Sequence, residues 1–190
     1  MHHASCIDKV LTDSLSFLKN GSIFLSLIAL LSAFSACNQV DDDRIPSLPV
    51  YVGLSDIGLW NAYGVSGVGV SRNFINWQGT VSPAGFPYNA NTYVGFGGVL
   101  LIGGVDPFTA DPNVPLAYDL ACPVECSPTV RVGIDRDNLE AVCPECGSRY
   151  DVVTAGGAPV AGPALTGKYK YGLRRYVCSP AQGGGYIIHN

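Results

Sequence analysis

From Tyr51 onward the apolar positions come in short runs, some continuous and some alternating with polar residues, at 98–102, 116–121, 129–134, 139–143, 149–153, 173–178 and 186–189. Runs of this length suit strands rather than helices, and no window of a dozen residues sustains a 3.6-residue period. Between the runs stand turn formers: Asp106-Pro107, Asp111-Pro112-Asn113, Asp137-Asn138 and Gly183-Gly184-Gly185. Gly, Pro, Asn and Asp reverse a chain because each either reaches unusual backbone angles or bonds its own backbone. The pattern predicts an all-β domain. Residues 57–97 are less regular, because glycines interrupt a string of aromatics (Trp60, Tyr63, Phe74, Trp77, Phe86, Tyr88 and Tyr93). Irregular strands and long loops are expected there, with the aromatics filling a glycine-rich core, since no spacing selects a shared ligand-facing side.

The N-terminal pattern is different. Lys9 and Lys19 precede an apolar stretch at 23–34, and the small residues Ser35 and Ala36 then lead to Cys37. That is the order of an export signal. Its apolar part is about a dozen residues, short of the roughly 20 that span a bilayer, so cleavage is expected rather than a retained helix. The sequence FSAC at 34–37 resembles the lipobox of bacterial lipoproteins, which implies a diacylglyceryl group on Cys37 and a membrane as partner. Asp41, Asp42 and Asp43 resemble the acidic tag that directs lipoproteins of Bacteroides-like bacteria to the outer membrane and the cell surface. A solvated acidic tether explains the same run. The expected organisation is a signal at 1–36, an acidic tether at 37–50 and one domain at 51–190.

The chain carries a net charge of −4. Beyond the signal, acids outnumber bases and form no basic stripe, which argues against nucleic acid as a partner. No GxSxG, HExxH or GxxxxGK motif is present. Asp135, Asp137, Asn138 and Glu140 lack the glycine and distant glutamate of a calcium loop and read as a turn. Hydrolytic machinery is not visible, so an enzyme is not expected.

The candidate chemistry lies in Cys122, Cys126, Cys143 and Cys146, within CPVEC and CPEC. Two short cysteine pairs at this separation suit two knuckle loops that offer thiolates to one metal. CPECGSRYDVVTAGGAPVAGPA, followed by LRRY, closely resembles the second half of a Rieske iron–sulfur domain, and AYDLACPVEC resembles its first ligand loop. The stretch is similar in particular to Rieske-like lipoproteins of the Bacteroidetes. The resemblance implies antiparallel sheets with a small rubredoxin-like cluster-binding subdomain at 118–164. It assigns Cys122 and Cys143 to one iron, and Ser148 and Tyr150 to hydrogen bonds that raise the reduction potential. It gives Gly162-Pro163-Ala164 to a loop over the cluster. A Rieske centre also needs two histidines. Val124 and Cys146 hold those places, and His189, the one histidine past the signal, reads as a strand-end residue.

Three readings stay open. Cys126 and Cys146 replace the histidines in an all-thiolate [2Fe–2S] electron carrier; the four thiolates hold structural Zn²⁺; or export to an oxidising compartment leaves a metal-free, disulfide-stapled binding or structural module. Cys178 is expected to be a free thiol in a core strand.

Overall fold

The computed structural model describes residues 40–106, 109–167 and 170–190. The export signal and Cys37 lie outside them. The described chain opens with β1 (Val40–Asp41), β2 (Val50–Asp56), α1 (Ile57–Tyr63), β3 (Ser71–Trp77), β4 (Thr80–Ser82), β5 (Tyr93–Val94), β6 (Val99–Val105) and β7 (Pro112–Asp119). There follow β8 (Gly133–Asp135), β9 (Glu140–Val142), β10 (Arg149–Asp151), β11 (Ala158–Ala161), α2 (Pro163–Thr166), β12 (Lys170–Tyr171), β13 (Arg175–Pro180) and β14 (Gly184–His189).

Eight strands pair in the order β4-β3-β6-β7-β13-β14-β2-β5. Every pairing is antiparallel, and the sheet curls into a half-barrel. A smaller antiparallel sheet runs β11-β10-β9-β8. The all-β expectation holds, and each of the seven apolar runs supplies or borders a strand.

The continuous apolar sequence of β6 follows from burial on both of its faces. Val99 and Leu101 join Val52, Leu54, Ala117, Tyr176 and Ile188 in one core. Leu100 and Ile102 point the other way, into a second core with Leu116, Tyr118 and Leu120 from the large sheet and Ala141, Tyr150 and Val152 from the small one. Burial of each such aliphatic side chain stabilises the fold by roughly 1.5–3 kcal/mol, so the second core ties the two sheets together. Cys122 and Cys143 belong to that core. Gly103 is required where the chain crosses β6, because a Cβ there would stand 2.0 Å from the Gly67 carbonyl oxygen.

Residues 57–97 depart from expectation. They contain α1, whose first turn is capped by Asp56 Oδ1 accepting from the Leu59 N–H at 2.9 Å, and the β3–β4 hairpin. A helix of seven residues is too short to declare a period, which is why the sequence hides it. The aromatics do fill a core: Phe86 meets Tyr63, Phe74 and Tyr88 edge-on at ring distances of 5.3, 5.1 and 4.7 Å. Trp77 and Tyr93 remain exposed.

The 37–50 segment is not a free tether from Val40 on. β1 pairs with β12, Ile45 is wholly buried, and the Arg174 guanidinium donates to the Ile45 carbonyl at 2.7 Å and to Asp43 Oδ1 at 2.9 Å. Ile45, a single apolar residue beside the acidic run, fixes the strap by its burial. Among the described residues no helix is long and apolar enough to cross a membrane.

Candidate metal centre

Three pieces of chain meet at the cysteines. The first leaves the end of β7 at Asp119, a carboxylate with no solvent exposure. It accepts from the N–H groups of Phe96, Gly97 and Ala121 at 2.9, 2.9 and 2.7 Å and from the Tyr176 hydroxyl at 2.6 Å. Burial raises its pKa, against the pull of those donors. Asp119 thereby pins the 96–97 turn to the root of the first cysteine loop. Beyond it, the Cys122 N–H donates to the Val130 carbonyl at 3.0 Å, and the Cys126 N–H closes back on the Cys122 carbonyl at 2.9 Å.

The second piece is the β9–β10 connection. Cys143 N–H donates to the Ser148 carbonyl at 2.9 Å, and Gly147 N–H to the Cys143 carbonyl at 3.1 Å. This places the sulfurs of Cys143 and Cys146 on one side of a tight knuckle. Arg149 bridges Asp135 and Glu140 across the neighbouring strands, and hydrogen bonds from Asn138 and then Arg149 hold the pKa of Asp135 down at about 2. The 135–140 stretch is therefore the β8–β9 turn that the sequence suggested. The third piece is Gly162-Pro163-Ala164, whose Ala164 N–H donates to Ser148 Oγ at 3.1 Å.

Cys122, Cys143 and Cys146 converge, with all three Sγ atoms within 4.8 Å of one another. Cys122 and Cys146, 24 residues apart, bring their sulfurs to 3.7 Å. Such a trio could hold a metal ion. A metal with sulfur bonds of about 2.3 Å keeps tetrahedral sulfurs about 3.8 Å apart, so the observed separation fits a shared ion. Two hydroxyls lie beside the sulfurs: Tyr150 Oη lies 3.5 Å from Cys122 Sγ, and Ser148 Oγ accepts from Cys146 Sγ at 3.1 Å.

Cys126 is the departure from the four-ligand expectation. It is not one of the converging group; its Sγ faces the Pro123 carbonyl at 3.3 Å and the Arg44 carbonyl at 4.0 Å. The cause is local. The first pair has three intervening residues and the second has two, and the extra residue leaves Cys126 in a left-handed conformation at φ 48°. Val124 packs against the core beside the cysteines as an apolar side chain.

The sulfurs differ in environment. Cys122 and Cys143 are buried, and Cys146 is partly exposed. Burial pushes the Cys122 thiol up to about 12. Burial acts the same way on Cys146, but the Ser148 hydroxyl and N–H and the two neighbouring sulfurs outweigh it and hold the thiol below its ordinary value. Cys178 sits in β13 as expected, partly buried among apolar side chains, which push it up to about 12. His189 ends β14, with Nε2 2.8 Å from Ser179 Oγ.

Sequence reasoning did not single out Asp119, though a lone carboxylate inside the apolar run LAYDLAC was a visible signal. It also missed Arg44, whose guanidinium donates to the Pro123 carbonyl at 2.6 Å and lies 4.4 Å from the Tyr171 ring centre, clasping the first cysteine loop. No protein-family model matches the chain, and no curated protein does either.

Proposed function

We propose that this is a lipid-anchored, metal-binding module of the bacterial cell envelope, in which Cys122, Cys143 and Cys146 share one soft metal ion, Zn²⁺ first among candidates. The observation that carries the reading is the convergence of three sulfurs from two loops remote in sequence. Three thiolates select soft or borderline metals, and three protein ligands leave one tetrahedral position open to a ligand from outside the chain. Bound there, the ion would supply charge neutralisation for the thiolates and a cross-link between the loops. The chain's own residues do the rest: Asp119 and Arg44 hold the first loop, the knuckle turn presents Cys143 and Cys146, and Ser148 joins that knuckle to the 162–164 loop.

The Rieske likeness gives a second reading, a degenerate [2Fe–2S] electron carrier. It is favoured by the Tyr150 and Ser148 hydroxyls beside the sulfurs, since such hydrogen bonds stabilise added negative charge. A two-iron cluster, however, divides four protein ligands between two metals. Cys126 faces Pro123 and Arg44 instead, which weighs toward the single ion. The envelope location rests on the order of Lys9, Lys19, the 23–34 stretch and Cys37.

Metal analysis decides. The full chain, extracted in detergent under reducing, oxygen-free conditions, should carry one zinc per chain, lost on Cys143→Ser. Two irons with two acid-labile sulfides would establish the electron carrier instead, and a reduced protein that retains no metal would end both readings. Cys37→Ser should move the protein out of the membrane fraction.

A further inference from the structure

The same three sulfurs are arranged for a second chemistry, and this inference rests on their geometry without needing a bound metal. We infer that the trio is a dithiol centre that exchanges with disulfides, with Cys146 as the attacking thiol and Cys122 as the resolving one.

The argument is one of access and distance. Of the three, only Cys146 has surface open to solvent; Cys122 and Cys143 are 0% and 1% exposed. Within the trio, an incoming disulfide can therefore meet only Cys146. Behind it, Cys122 Sγ waits at 3.7 Å, at van der Waals contact with the sulfur it would attack. Disulfide exchange needs the attacked sulfur to be approached by a second thiolate once the mixed disulfide has formed, and a buried neighbour meets that need while being shielded from direct attack. The knuckle turn serves the same end, because it holds Cys146 at the surface side of a fixed loop.

Written out, the Cys146 thiolate attacks one sulfur of a disulfide RSSR, forming Cys146–S–SR and releasing RS⁻. The Cys122 thiol then attacks Cys146 Sγ, its proton passing to the departing sulfur, so that the Cys122–Cys146 disulfide forms and the second half of the substrate leaves as RSH. The two cysteines lose two electrons and the substrate disulfide gains them. Since both sulfurs are proposed metal ligands, oxidation and metal occupancy exclude each other at this site. Cys126 and Cys178 take no part: neither belongs to the converging group.

The test uses the full chain in detergent, reduced, stripped of metal with a chelator and kept free of oxygen. Oxidised glutathione is added, and each cysteine is followed by peptide mass mapping. The expected product is a Cys122–Cys146 disulfide with two glutathiones released per chain. Cys122→Ser should instead accumulate a stable glutathione adduct on Cys146, and Cys146→Ser should lose the fast exchange at this site. The wild-type map needs no variant to fold. A first adduct on Cys122, Cys126 or Cys178, or a final bond that joins any other pair, would overturn the assignment. Metal content, measured separately on the untreated protein, tells failure here from failure of the metal reading.

Discussion

Ser148 is wholly buried and serves two partners at once: its Oγ accepts from Cys146 Sγ and from the Ala164 N–H. Removing that oxygen leaves a buried backbone donor with nothing to meet. Ser148→Ala should therefore cost about 1–3 kcal/mol in denaturant unfolding, the usual penalty for an orphaned buried polar group. No change in the midpoint would mean the hydroxyl does not join the two loops. Asp135 offers a pH signature at the same scale. Hydrogen bonds from Asn138 and Arg149 hold it at about 2, below the ordinary carboxylate range. A depressed carboxyl favours the folded state at all pH above that range and ceases to do so as pH falls toward 2. A carboxyl-detected NMR titration should find Asp135 still ionised where exposed acids have protonated, and Arg149→Ala should move its midpoint upward.

The loops around the cysteines fit one another through glycine. Gly162 has φ 78°, and a Cβ on it would lie 2.8 Å from Ser148 Cα and 3.0 Å from the Gly147 carbonyl. Both the backbone and the space reject a side chain. Gly162→Ala should thus destabilise the domain by roughly 1–3 kcal/mol and weaken zinc retention, because the 162–164 loop must lift from Ser148. Full metal retention in that variant would separate the loop from the site. The strands were legible because burial on one or two faces writes itself into short apolar runs, as at β6. Elements fixed by a cap or a single buried side chain were not: α1 hangs on Asp56, and the 40–46 strap hangs on Ile45. The site shows the same division. Four cysteines and the Ser148 and Tyr150 hydroxyls could be named from spacing and likeness, but the three-residue gap in CPVEC decides that Cys126 faces away, and that is a matter of turn geometry.

At the scale of the molecule, the strap bears on the lipid anchor proposed at Cys37. Val40 already pairs with β12, so a lipid on Cys37 would hold it within about 10 Å, the reach of three extended residues. Arg44 is the first tryptic site after Cys37, and it is clasped by Pro123 and Tyr171. Trypsin should leave the domain on the membrane, whereas Arg174→Ala, which frees Ile45 and Asp43, should speed its release. Prompt release of the unaltered protein would contradict a fixed strap. The central claim, three sulfurs on one ion, is tested most directly by X-ray absorption at the zinc edge on the reduced full chain with one equivalent of zinc. The expected result is a shell of three sulfurs at about 2.3 Å that is unchanged by Cys126→Ser. A shell of nitrogen and oxygen without sulfur would contradict it.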